Sequence, residues 1–240
     1  SPGREAADRL AVRYGVPVRR VHDCAALEPD IRVDDLEAPG LSRGSADLIV
    51  SLMALQGIND LPGVLAQVRA ALVPDGLFIG ALAGGSTLYE LRQSLLVAEE
   101  AVSGGAAPRV FPFADVRALG QLLQRAGFAL PVADSEIITV RYADPLELMH
   151  DLRAMGATNV IAGMSARPMG RKVLLAAVEH YLAHFADEDG RIRATFEIVW
   201  LSGWAPHPGQ QKPLKPGSAK MRLSDALPVK TYDTPPEGQR

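Results

Sequence analysis

Several residues in this chain of 240 have the types and spacing to do chemistry. Gly84-Gly85-Ser86-Thr87 follows an apolar run and opens a helical pattern, so backbone N–H groups at a helix start point beyond the strand. Such a terminus holds an anion. The same residues also read as a plain cap, since neither a Walker lysine nor G-x-G-x-x-G accompanies them. Tyr89, Glu90 and Arg92 fall in the first turns of that helix, where they can face a substrate or partner. Ser51, Met53, Leu55 and Gln56 end another apolar run and either line a cleft or pack as core. Asp23 and Asp35 are carboxylates near candidate strands, able to accept hydrogen bonds from amino or hydroxyl groups; a solvated loop aspartate is the plainer reading of each. His180 and His184 have the i, i+4 spacing of metal ligands. Only Tyr-Leu-Ala lies between them, no third ligand is in view, and no metal is expected. Cys24 is the one cysteine, which excludes an internal disulfide or a multi-cysteine zinc site and suits a reducing compartment. No Ser-His-Asp or Cys-His set can be assembled, so no catalytic residue is named.

The elements that must position these residues follow from periodicity. Residues 47–52 form a short, branched apolar run, the pattern of a strand covered on both faces. Asn59 is placed to cap the next helix, with Asp60 and Pro62 in its first turn. Leu61, Val64, Leu65, Val68 and Leu72 share one helical face. Pro74-Asp75-Gly76 reads as a turn and 77–83 as a second strand, giving a right-handed strand–helix–strand crossover. Ligands of such sheets sit outside the carboxyl ends of the strands, here 51–60 and 84–88. Further helices are predicted over 87–102 (capped by Ser86), 113–126, 144–155 and 169–185, and strands over 131–142 and 190–204. On the last strand Phe196, Ile198 and Trp200 share one side and Thr195, Glu197 and Val199 the other. Leu48, Val50, Val64, Val68, Phe78, Leu119, Leu123 and Trp200 are the expected core.

These elements predict an α/β fold with a mostly parallel sheet, helices on both faces and an antiparallel last strand. One domain over 1–204 is expected, with 144–187 as a helical insertion or lid and 205–240 as an extended tail. The 48% hydrophobic content supports one substantial core. A net charge of −3 argues against a generic nucleic-acid binder. Lys212, Lys215, Lys220 and Arg222 nevertheless make the tail basic, which leaves an acidic or RNA partner open. No apolar run approaches the roughly 20 residues of a membrane span.

The core DLIVSLMAL…NDLPG with the turn VPDGLF resembles the middle of a class I S-adenosylmethionine (SAM) methyltransferase. The resemblance is closest to the methyltransferase-like assembly factors of respiratory complex I, mitochondrial and alphaproteobacterial. It is carried by GALAGGSTLYELRQSL, PFADVRALGQLLQRAGF, DLRAMGATN, DGRIRATFEIVWLSGWAPH and QQKPLKPGSAKMRL, and spans nearly all of 34–223. Malonyl-carrier-protein methyltransferases resemble the first segment but not the last.

That resemblance implies SAM as cofactor, with Asp35 at the adenine amino group, Asp23 at the ribose, and Ser51, Met53 and Gln56 along the pocket. It implies a respiratory-complex subunit or assembly partner, in the bacterial cytoplasm or mitochondrial matrix; Gly84, Gly85, Ser86, Tyr89 and Arg92 are the residues whose position suits contact with a substrate or partner. The family's DLGxGxG loop is missing from this sequence, either lost or lying in a segment not given. The usual histidine-tryptophan pair is missing near Gln56-Gly57-Ile58 as well. The expectation is therefore a fold degenerate in cofactor binding, serving as a binding or assembly subunit. The alternative is an active methyltransferase, or a SAM-using protein-modifying enzyme, acting on a respiratory-complex subunit.

Overall fold

The computed structural model describes residues 35–105, 107–157 and 169–211, together with the backbone of two short strands, β1 (His22–Asp23) and β2 (Ile31–Arg32), which pair in parallel. The basic residues at 212–222 and Cys24 lie outside the described residues. The chain divides into two units, Ser1–His207 and Pro208–Arg240; of the second, only 208–211 are described, as a turn.

In the first unit, β3 (Ala46–Leu52) leads through a short 3-10 turn at Leu55–Gly57 into α1 (Leu61–Ala71) and β4 (Leu72–Ala83). Then come α2 (Tyr89–Ser103), α3 (Val116–Ala126), β5 (Ala129–Tyr142), α4 (Pro145–Ala154), α5 (Arg171–Phe185) and β6 (Ile192–Trp204). The main sheet has the order β3-β4-β6-β5. β3 and β4 are parallel, and β6 lies antiparallel between β4 and β5. The crossover through α1 and the antiparallel last strand are both as the periodicity predicts.

Local chemistry explains the element ends, and it moves some of them. Asp60, not Asn59, caps α1: its carboxylate accepts the Gly63 N–H at 2.9 Å. Asn59 instead gives its backbone N–H and its amide to the Glu37 carboxylate, at 2.8 and 3.0 Å, and Gln67 Nε2 donates to the Glu37 carbonyl oxygen. Glu37 thereby fastens the loop before β3 onto the start of α1. Asp115 caps α3 through Ala118 N–H, and Asp144 caps α4 through Leu146 and Glu147 N–H. The expected cap at Ser86 does not form. α2 begins two residues later, with Leu88 at the cap in a left-handed conformation at φ 56°. The expected turn at Pro74–Gly76 is a jog inside β4: Ala46 pairs with Leu72 but Leu48 with Leu77, and Asp75 has φ 66°.

Two cores hold the unit together. The first lies between the sheet and the helices α1 and α3, and includes Leu65, Val68, Phe78, Leu82, Leu119, Leu123, Val199 and Leu201. The second joins α2, α4 and α5 to the far ends of β5 and β6 through Leu91, Leu95, Tyr142, Leu148, Val173, Tyr181 and Ile192. Five of the eight expected core residues are buried. Leu48, Val50 and Trp200 are not: they are 44%, 45% and 44% exposed. β3 is an edge strand, and only its Ile49 side meets the helical layer. On β6 the buried side is the one carrying Thr195, Glu197, Val199 and Leu201. A polar pair sits inside, and Trp200 stands on the other face, so ranking the two sides by hydrophobicity chose the wrong one.

Candidate functional site

The carboxyl ends of β3 and β4 open on one cavity of about 240 Å³. Leu55, Gln56, Ile58 and Leu61 line it from the connection after β3, Leu82 and Ala83 from β4, and Pro112, Phe113, Ala114 and Leu122 from the approach to α3 and from α3 itself. The wall is almost wholly apolar. Gln56 Nε2 donates to the Met53 carbonyl oxygen at 2.6 Å, while the buried Gln56 Oε1 has no hydrogen-bond partner. Met53 itself has φ 52° and donates its N–H to Ala81. Left-handed backbone at a non-glycine residue is costly, of order 1–3 kcal/mol, and concentrates at binding sites. Of the four such residues described, Met53 and Leu88 lie one beyond each of the two parallel strands, and Asp75 and Leu130 lie elsewhere.

The connection after β4 is locked onto β6. Gly84 N–H donates to the Glu197 carbonyl oxygen at 2.8 Å and Leu88 N–H to that of Thr195 at 2.7 Å. Thr87 Oγ1 donates to the Glu197 carbonyl oxygen and accepts the Glu197 N–H. Ser86 N–H donates to Glu197 Oε2 at 2.7 Å. One turn on, the buried Glu90 carboxylate accepts the Thr195 N–H and hydroxyl at 3.1 and 2.5 Å. The N–H groups of Ser86, Thr87, Leu88 and Tyr89 thus all have acceptors inside the protein, and the chain's own Glu197 carboxylate takes the Ser86 N–H. A Cβ at Gly84 would lie 2.7 Å from Glu197 Cδ, so this glycine serves close packing. Arg92 also turns inward, donating to the Gly85 and Thr87 carbonyl oxygens at 3.1 and 2.9 Å.

Of the other expected site residues, Gln56 lines the cavity, and Gly85 lies beside 113–115 at its edge. Ser51 is half-buried on the helical side of β3, and Met53 is exposed. Asp35 is exposed and accepts the Glu37 N–H at 2.8 Å, a local turn contact. Tyr89 is exposed with its ring edge-on to Phe185. The Asp23 backbone pairs with Arg32, and its side chain lies outside the described residues. Glu37, Glu197 and Phe113 were not among the expected site residues. Glu197 had a visible signal, a lone acid in the alternating run ATFEIVW.

His180 and His184 stack on each other with ring centres 4.1 Å apart, and His180 Nδ1 meets Ser94 Oγ at 3.1 Å. No group of three or more possible metal ligands occurs among the described residues. Burial, then the neighbouring His184, lowers the His180 pKa below 6.5. From α2 the uncharged Ser94 meets His180, and Phe185 of α5 itself lies beside both rings. A lowered folded-state pKa means that the unfolded chain binds the proton more readily. The histidine's contribution is then complete above pH 6.5 and is lost as pH falls through that value and below. Urea midpoints are expected to rise from about pH 5 to about pH 7, with a shallower rise in His180→Gln. Identical slopes in the two proteins would reject this.

SAM can be tested against these residues by size and by donors. Cofactor and ligand pockets commonly measure about 300–1,000 Å³, and this cavity is smaller. After β4 the Gly84, Ser86 and Leu88 N–H groups are taken by β6 and those of Thr87 and Tyr89 by carbonyl oxygens of the same connection, which leaves little of it to hold a cofactor's charged end. The described residues fit one end of such a cofactor, or a substrate side chain, and not the whole group.

The sheet, its helical layers and the strand-end cleft define a class I methyltransferase fold. A solved Bacillus halodurans protein described as a candidate methyltransferase shares that fold with a TM-score of 0.51 and 12% identity, over 82% of this chain and 87% of that one. No family model matches the chain. In sequence it is 45% identical over 179 residues to the arginine-hydroxylase NDUFAF5, mitochondrial, of Danio rerio, covering 75% of this chain and 56% of that protein. The Homo sapiens protein of the same name is 43% identical over 75% of this chain and 52% of its own length. A malonyl-[acyl-carrier protein] O-methyltransferase of Laribacter hongkongensis is 36% identical over 84% of this chain and 65% of its own, so that likeness reaches well beyond one segment. The chain is thus similar over about three quarters of its length to proteins named arginine-hydroxylase NDUFAF5, the likeness its segments indicate. It spans about half the length of the arginine-hydroxylases it matches. Their names correct one expectation: these relatives are enzymes, and the reading of a degenerate, non-catalytic binding subunit falls.

Proposed function

We propose that this chain is the substrate-binding part of an enzyme that hydroxylates an arginine side chain of a protein. The observation that carries the proposal is the 41–45% identity to proteins named arginine-hydroxylase, over 75–83% of the chain. The cleft suits such a substrate. Arginine has an apolar stem that packs along aliphatic walls while its head seeks acceptors. Leu55, Ile58, Leu61 and Phe113 supply the wall, and Gln56 Oε1 is an acceptor without a donor. SAM is the cofactor that the methyltransferase relatives suggest; it brings no oxygen atom, so the hydroxylation also needs dioxygen, one atom of which enters the arginine while the other leaves as water with two electrons from an external reductant. In this reading SAM lies outside the strand ends toward Ser51, Met53 and Asp35, with Asp23 as a further acceptor. The target is a protein of the respiratory complex, met in the mitochondrial matrix or the bacterial cytoplasm. No helix of the described residues is long and apolar enough to cross a membrane.

The test compares cells with and without the gene, by mass spectrometry of the arginine peptides of their respiratory-complex proteins. An arginine peptide heavier by one oxygen atom only when the gene is present is the expected result. A methyl increment would make the protein a methyltransferase instead, and unchanged arginine peptides would end the proposal.

A further inference from the structure

Among the described residues that line the strand-end cavity, only Gln56 has a polar side chain. Its amide has one possible orientation. The nitrogen Nε2 meets the Met53 carbonyl oxygen at 2.6 Å. A carbonyl oxygen only accepts, so the NH2 end must face it and Oε1 must face away. The Met53 carbonyl is itself held in place. Met53 keeps a left-handed backbone at φ 52°, with its N–H on the Ala81 carbonyl oxygen at 2.7 Å. On the other side of Gln56, Leu55 is buried in the first core and its carbonyl oxygen accepts the Ile58 N–H. The strand end and the turn together fix the amide, and they leave a buried acceptor, Oε1, without a donor. Buried polar groups are almost always bonded, so one left over calls for an explanation.

We propose that Gln56 is the specificity-determining residue of this cavity: locked by Met53, it presents an acceptor only, and so favours a side chain that ends in N–H donors over one that ends in a carboxylate or a plain alkyl group. The inference rests on the reading of the cleft as an arginine site and names what in the cleft selects that residue. The apolar wall does not select it. Leu55, Ile58, Leu61 and Phe113 would hold the stem of a leucine or a methionine as well as that of an arginine. A buried polar group discriminates more sharply, because the wrong ligand leaves it unpaired. A carboxylate would set a second acceptor against Oε1 with no donor between them. No charged side chain is among the described lining residues, so the guanidinium gives one N–H to Oε1 and keeps the others at the mouth.

Three probes test this on the purified chain: N-acetylarginine amide, N-acetylnorleucine amide with an aliphatic stem and no donor at its end, and adenosine, whose amino group is also an N–H donor. Binding is followed through the methyl resonances of Leu55 and Ile58. The arginine probe is expected to bind about tenfold more tightly than the norleucine probe, the usual effect of one charge-assisted hydrogen bond. Gln56→Met keeps the length of the side chain and removes the acceptor. It should make the two affinities equal at an unchanged melting temperature. Equal affinities in the unaltered chain, a preference that survives Gln56→Met, or no binding of either donor probe would overturn the proposal. If adenosine shows the dependence on Gln56 and the arginine probe does not, donor selection stands and the cavity belongs to a cofactor; the arginine reading then fails and this inference does not. Conversely, a full one-oxygen increment in cells carrying Gln56→Met at the native locus would end this inference and leave the arginine reading intact.

Discussion

Phe78→Ala is expected to lower the unfolding free energy by about 3–5 kcal/mol, the usual loss for a buried phenylalanine truncated in a core. Phe78 is fully buried in the middle of β4 and packs on Phe128 with ring centres 5.5 Å apart. Its cross-strand neighbour on β6 is Gly203, where a Cβ would lie 2.8 Å from Phe128 Cβ. The two rings fill the space that this glycine leaves, and none of the fixed backbone around them can collapse into the hole. The loss should appear as a lower urea midpoint with an unchanged slope. A loss below about 1 kcal/mol would mean that β4 and β6 are not paired as described.

Glu90→Ala is expected to cost about 1.5–3 kcal/mol, because it leaves the buried Thr195 N–H and hydroxyl without their charged acceptor. Glu90→Gln keeps one acceptor oxygen and should lose clearly less. The pair of variants separates hydrogen bonding from mere filling of space. The same change should loosen the connection after β4, since Thr195 also accepts the Leu88 N–H through its carbonyl oxygen. Amide hydrogen exchange at 84–88 should then quicken in Glu90→Ala. Equal stability of the alanine and glutamine variants would remove Glu90 from this role.

Much of the fold was legible because its signals are local. The alternation around 47–83 dictates the crossover, and Asp144-Pro145-Leu146-Glu147 dictates the start of α4. What escaped is non-local. Whether Leu48 and Val50 are core depends on what lies across the β3 edge, and Trp200 faces outward because Glu197 finds the Ser86 N–H on the other side of β6. The cap at Ser86 failed for the same reason: the tertiary acceptor on β6 reshaped the loop, and α2 starts only after a left-handed Leu88. At the site, the strand-end rule located the cleft and Gln56 within it. Phe113 and Leu122 could not be foreseen there, because α3 is brought to the cleft only by packing on α1 and the sheet. The missing glycine loop pointed to lost function, yet such a loop says nothing about a side-chain cleft built from other elements.

The central claim is that the strand-end cavity is where the arginine side chain is held. Ala114 lines that cavity from its exposed rim, so Ala114→Trp plugs it at little cost to the fold. The variant is introduced at the native locus, its melting temperature is checked in purified protein, and the arginine peptides of the respiratory-complex proteins are measured by mass spectrometry. The account predicts an unchanged melting temperature and loss of the one-oxygen increment. A full increment from a stably folded Ala114→Trp protein would contradict it and move the working site elsewhere.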